Sequence, residues 1–187
     1  MRLTILAGLL LLAGCATSPT PTLYTLASEP GAPVVTRRLS IELRRIGLAG
    51  YLDRPEIVRG TVQYRLQLSD LDRWGEPLGR MIDRVLTEDL VTRLPDASVF
   101  AESGAISTRP DLVLEMDIQR LDADMSGDMV LLAQIALRPD TGTATAQTVR
   151  LTVKLPAAPS ARDHVAAMSA ALAELADTVA SDVARFK

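Results

Sequence analysis

The chain holds one cysteine, Cys15, and one histidine, His164, so nucleophilic or metal chemistry must start from these two side chains or from carboxylates. Serine–histidine or cysteine–histidine catalysis would rest on His164 alone. That residue follows Asp163 in the first turn of an expected helix and reads as a surface residue. A zinc site lacks ligands. Asp122, Asp124 and Asp128 bracket a loop around Gly127 and could offer oxygens to calcium, but their spacing is not that of an EF-hand, and the stretch reads as a solvated acidic turn. Gly47 and Gly50 lack the Lys-Ser/Thr that closes a phosphate-binding loop. No pair of carboxylates is singled out for glycoside cleavage. The expectation is a protein that is not an enzyme and that carries no metal or cofactor.

The surroundings of Cys15 are more informative. Behind Arg2 runs a mostly apolar stretch, Leu3 to Ala13, well short of the ~20 residues a membrane-spanning helix requires. A basic start, an apolar middle and small residues at the end make a secretory signal. Its last residues, Leu12-Ala13-Gly14-Cys15, resemble the bacterial lipobox. That resemblance implies a diacylglycerol on the Cys15 thiol, cleavage just before it, and acylation of the freed amine. A cysteine buried in an N-terminal helix, or an ordinary signal cut elsewhere, is the other reading. Two or more acyl chains anchor stably where one holds only reversibly. Under the sorting rules the resemblance brings with it, Ala16 after the cysteine implies the periplasmic face of the outer membrane. The expected organisation is a signal over 1–14, a lipidated Cys15 with a flexible Ser/Thr/Pro tether over 15–22, and one periplasmic domain over 23–187. The 20 Lys and Arg against 23 Asp and Glu give −3, and loss of Arg2 makes it −4. Such a balance gives no reason to expect nucleic acid.

Hydrophobic period supplies the scaffold. Leu39, Ile41 and Leu43 alternate with polar residues as in a half-buried strand, and Val62, Tyr64, Leu66 and Leu68 do the same after a Gly/Pro-punctuated loop. Pro77 suits a helix first turn, followed by Leu78, Ile82, Val85, Leu86, Leu90 and Leu94 at helical spacing. On the outer face of that helix, Arg84 with Glu88 and Asp89 with Arg93 are four apart. A short apolar piece at Val99 and Phe100 precedes Leu112–Ile118, Met129–Leu137 and Val149–Leu155, expected as an antiparallel meander with a turn at Pro139–Gly142. Val165, Met168, Leu172, Leu175, Val179, Val183 and Phe186 form one helical stripe. The expected fold is an α/β (α+β) sandwich: a mixed, largely antiparallel sheet of about five strands with both amphipathic helices on one face, the other face covered or polar.

Two stretches echo each other, Tyr51-Leu52-Asp53-Arg54-Pro55-Glu56-Ile57-Val58 and Leu71-Asp72-Arg73-Trp74-Gly75-Glu76-Pro77-Leu78. Each joins Leu-Asp-Arg to a nearby Glu where a strand is expected to end. Structurally, Asp53 could accept loop hydrogen bonds, Arg54 or Arg73 could brace it, and Trp74 could cap the first helix. In these residues and their order the chain resembles the PqiC family, auxiliary lipoproteins of ABC-type lipid transport, whose first strand "LYTL" at Leu23–Leu26 is also similar to. Gly75 stands where the family more often has Ala or another small residue. The resemblance implies a non-enzymatic outer-membrane component that works with a periplasm-spanning MCE-domain protein and, through it, an inner-membrane transporter. Tyr51, Leu52, Asp53, Arg54, Pro55, Arg73, Trp74 and Glu76 are then the candidate partner-binding residues. The rival class is an envelope assembly lipoprotein that activates a cell-wall synthase or assists outer-membrane assembly. A direct lipid carrier would need a cavity lined by residues such as Leu131 and Leu151. Seven arginines between Arg37 and Arg65 oppose six acids between Asp111 and Asp128, a distribution that could close copies head to tail into a ring.

Overall fold

The computed structural model describes residues 19–186 except 103, 106, 107, 144 and 157, so Cys15 lies outside the described residues. In chain order the elements are β1 (Thr22–Tyr24), β2 (Ser40–Leu43), β3 (Gly47–Leu48), β4 (Glu56–Val62), β5 (Arg65–Trp74), α1 (Leu78–Arg93), β6 (Ser98–Ala101), β7 (Leu112–Ala123), β8 (Met129–Pro139), β9 (Thr145–Val153) and α2 (Ala161–Arg185). The expected meander is present: β7, β8 and β9 pair antiparallel in sequence order. The far edge of β7 carries three strands in succession, all parallel to it. β2 meets it at Leu112–Leu114, β3 at Asp117–Ile118 and β4 at Ala123. From there β6 extends the β2 branch, and β5 then β1 extend the β4 branch. The sheet is mixed and has nine strands among the described residues, so the expected architecture holds with more strands than period alone revealed.

Alternation explains which face is covered. Leu112, Leu114, Met116 and Ile118 of β7 and Met129, Leu131, Ala133, Ile135 and Leu137 of β8 point into one core, which the apolar stripes of α1 and α2 complete. The opposite face carries Glu115, Asp117, Gln119 and Gln134, with Arg138 reaching Glu115 at 3.2 Å. Val113 and Val130 also lie on that face and are buried, so it is polar only in part. The start of α2 is a capping box. Ser160 Oγ accepts from Asp163 N–H at 3.2 Å, and the Asp163 carboxylate accepts from Ser160 N–H at 2.8 Å. Among the described residues no side chain caps α1, whose first turn instead follows the fixed φ of Pro77.

Three expectations require correction. The alternating run Val62–Leu68 is not one strand but the bend of a hairpin, because Gln63 and Tyr64 both take left-handed backbone, with φ of 49° and 66°. Two consecutive left-handed residues match the twist of paired strands, although the usual side chains there are Asn and Gly. The preceding "loop" in fact contains β3 and β4.

Asp89 and Arg93 are not on a solvated face. Their side chains are 0 % and 1 % exposed, because the segment from Leu26 to Val34 crosses the C-terminal end of α1. Asp89 Oδ1 accepts from Ser28 Oγ at 2.6 Å and from Glu29 N–H at 3.0 Å. Arg93 donates to Glu29 O at 3.1 Å and pairs with Asp177 of α2 at 2.5 Å. Gly31 passes so close that a Cβ there would fall 2.2 Å from the guanidinium carbon. By contrast Arg84 and Glu88 pair on the surface at 3.6 Å, as expected.

His164 is also buried, only 3 % exposed, because the chain around Pro159 folds onto β4, where Arg59 donates to Pro159 O. Its Nδ1 lies 3.0 Å from Ser160 O. Burial pushes the imidazole pKa down, assisted by Arg59 and opposed by hydrogen bonding to Ser160 and the Asp163 charge. Below the unfolded value of about 6.5, the unfolded chain therefore takes up a proton that the folded chain resists, and stability is lost as pH falls. The melting temperature should decline between pH 7 and 5.5, and His164→Asn should flatten that slope. Parallel slopes in the two proteins would show that His164 does not drive it.

Candidate functional site

The topology brings the two echoing stretches together. β4 begins at Glu56 and β5 ends at Trp74, and these ends are paired antiparallel with Glu56 opposite Arg73. Trp74 N–H donates to Pro55 O at 2.8 Å, and Gly75 N–H donates to Tyr24 O of β1 at 2.8 Å. The first stretch is folded tightly before it arrives there: Leu52 N–H donates to Ala49 O and Arg54 N–H to Leu52 O, while Ala49 N–H reaches Ile118 O of β7 at 2.9 Å.

Leu52, 1 % exposed, and Trp74, 6 % exposed, belong to the core. They hold the junction from beneath. Tyr51 is half-buried beside Asp122; burial first, and the neighbouring carboxylate second, push its pKa up to about 12. Asp122 also accepts from Arg120 Nε at 2.5 Å. Arg73 braces its own strand, donating to Ser69 O at 2.9 Å and Asp72 O at 3.1 Å, and lies 3.8 Å from Glu56. Glu76 pairs with Arg84 at 3.5 Å, which in turn donates to Thr25 Oγ1 and Leu26 O. The surface offered outward is therefore Asp53, Pro55 and Glu76, with parts of Tyr51, Arg54 and Arg73. Arg54 Nε is buried and finds no acceptor among the described residues. A buried donor without a partner is uncommon in a native fold. Glu76 also stands on the rim of an open groove of about 840 Å³ between α1 and β6, with Arg45, Arg80, Asp83, Phe100 and Glu102 on its walls.

Other candidate chemistry finds its atoms occupied. Asp124 Oδ1 accepts from Ser126 N–H, Ser126 Oγ and Asp128 N–H, closing the acidic turn on itself, and Asp128 pairs with Lys154. Leu131 is fully buried and Leu151 packs against the same core beneath α2, so the space a carrier cavity would need is filled. The basic stretch 37–65 and the acidic stretch 111–128 are neighbours in one sheet, and Asp111 is bound by Ser40 N–H at 2.7 Å. Sequence reasoning named Asp122, Tyr24 and the Asp89–Arg93 pair without their structural roles, which depend on segments far along the chain.

The family model for the ABC-type transport auxiliary lipoprotein component matches residues 24–180. The chain belongs to this family. The auxiliary lipoprotein fold is matched at a TM-score of 0.73 by the crystal structure of an uncharacterized protein, with 17 % identity over 88 % of this chain and 99 % of that one. Protein XCC0632 from Xanthomonas campestris, of the DUF330 family, matches at a TM-score of 0.67 and 17 % identity over 87 % of this chain and 95 % of that one. At such identity the likeness concerns the fold. None of the curated proteins matches the sequence significantly. Both echoing stretches lie inside the family region, and membership makes the chain an envelope lipoprotein with an auxiliary role in ABC-type transport.

Proposed function

We propose that this auxiliary lipoprotein is a docking cap, held by lipid on Cys15 at the periplasmic face of the outer membrane, that receives a periplasm-spanning MCE-domain protein. Through that protein it serves an inner-membrane transporter that moves phospholipid or another hydrophobic cargo. The cap itself catalyses nothing. The reading is supported above all by the family match over 24–180, which includes both Leu-Asp-Arg stretches. The junction of Tyr51–Pro55 with Arg73–Glu76 is the docking surface, where Asp53, Pro55 and Glu76 face outward.

Two measurements test this. Cys15→Ser should move the protein from the membrane fraction to the soluble periplasm, since stable anchoring needs the acyl chains. In a pull-down with a periplasm-spanning MCE-domain protein from the same cells, Asp53→Lys with Glu76→Lys should reduce recovery by about tenfold or more, because like charges placed across an interface cost several kcal/mol. Undiminished recovery would move the docking surface elsewhere, and an unmodified Cys15 in the intact mass would remove the anchor.

A further inference from the structure

Eight large apolar side chains are markedly exposed among the described residues, and four of them share one end of the sheet. Val62, Tyr64 and Leu66 flank or form the β4–β5 turn, with Tyr64 completely exposed. Met125, 92 % exposed, tops the β7–β8 turn beside it, since Gly60 pairs with Ala123. Tyr64 is held there in left-handed backbone, φ 66°, an unfavourable conformation for a bulky residue. Non-glycine residues kept in that region tend to mark functional sites.

The path of β1 says what this end faces. β1 runs parallel to β5, with Thr22 opposite Asp72, and β5 runs away from the β4–β5 turn. The chain before Thr22 therefore approaches from the side of that turn. Seven residues separate Thr22 from Cys15, and seven separate Asp72 from Arg65 at the turn. An extended chain spans at most about 3.3–3.6 Å per residue, matching the rise of the neighbouring strand, so Cys15 can reach the level of Arg65 and little beyond.

We propose that this end of the sheet rests on the bilayer that holds the Cys15 lipid, with Tyr64 and Met125 at headgroup depth. The proposal depends on the anchor assigned to Cys15 above. Its chemistry suits a lipid surface: tyrosine favours the interface between water and hydrocarbon, and Arg65 beside it can meet phosphate. The carboxylates nearest this end are engaged, Asp122 by Arg120, Asp124 by its own turn and Asp128 by Lys154. The opposite end of β8, by contrast, turns through Asp140, Thr141 and Gly142.

The test uses the mature lipoprotein reconstituted in phosphatidylethanolamine–phosphatidylglycerol vesicles containing a spin-labelled phospholipid. An environment-sensitive thiol fluorophore is placed at Tyr64→Cys, Met125→Cys or Thr141→Cys, one at a time. Wild-type protein should take up no label, because an acylated Cys15 has no free thiol. Fluorophores at 64 and 125 should shift to the blue and be quenched by the spin label, while that at 141 stays in water. Val62→Ser with Leu66→Ser should weaken the quenching at position 125. If wild-type protein labels at Cys15, the anchor reading falls and takes the reach argument with it. If the protein is anchored but 64 and 125 behave like 141, or change only when a partner protein is added, the bilayer contact alone is overturned.

Discussion

Replacing Arg93 with alanine should lower the free energy of unfolding by about 3–5 kcal/mol, read from urea denaturation of the purified protein. The magnitude follows from what remains behind. Asp89 is fully buried, and burial already holds its carboxyl above the usual range even with Arg93, Ser28 and Glu29 around it. Without the guanidinium, that carboxylate loses its cation 3.7 Å away, and Glu29 O loses a donor. The strap from Leu26 to Val34 then has less to hold it against α1. Asp177, by contrast, is 54 % exposed, so Asp177→Asn should cost no more than about 1 kcal/mol. Pairing Arg93→Met with Asp89→Asn should recover part of the loss, since an apolar group no longer faces a stranded charge. If Arg93→Ala unfolds at the same urea concentration as wild type, with an unchanged slope, the pair is not a structural keystone.

Trp74→Ala should be nearly as damaging, at about 3–5 kcal/mol, from the cavity left by a large buried side chain. For a domain of this size that corresponds to a fall in melting temperature of roughly 6–20 °C. Trp74 packs beneath the junction of the two echoing stretches, while its backbone ties Pro55 to the end of β5. A loss of partner recovery in this variant would report a collapsed junction and not a missing contact. Asp53→Lys should leave the melting temperature almost unchanged, as exposed substitutions away from caps and pairs usually do. That contrast separates docking from folding. A Trp74→Ala protein that melts with wild type would return the indole to the list of partner contacts.

The sequence made the regular parts of this fold plain for a simple reason: their signals are local. The stripe from Val165 to Val183 and the alternation along β7 and β8 need no knowledge of distant partners. The β4–β5 hairpin was hidden because Val62, Tyr64, Leu66 and Leu68 keep a period of two straight through the bend, and Gln63-Tyr64 lacks the Asn or Gly that would announce it. Asp89 and Arg93 carry the spacing of a surface pair; only a segment sixty residues earlier makes them interior. At the candidate site, the residue types of both stretches were evident, and their proximity followed from the pairing of Glu56 with Arg73. Which of them face outward was not, since Leu52 and Asp53 are adjacent in sequence and opposite in exposure.

The short ladder between β1 and β5 also sets how the domain bears tension. A tug from the amino-terminal side acts along the strand axis, so the hydrogen bonds linking Thr22–Tyr24 to Asp72–Trp74 are strained together in shear and cannot open one after another like a zip. Behind them, the Arg93 clasp takes up any residual pull, so the domain is built to withstand being dragged by its leash.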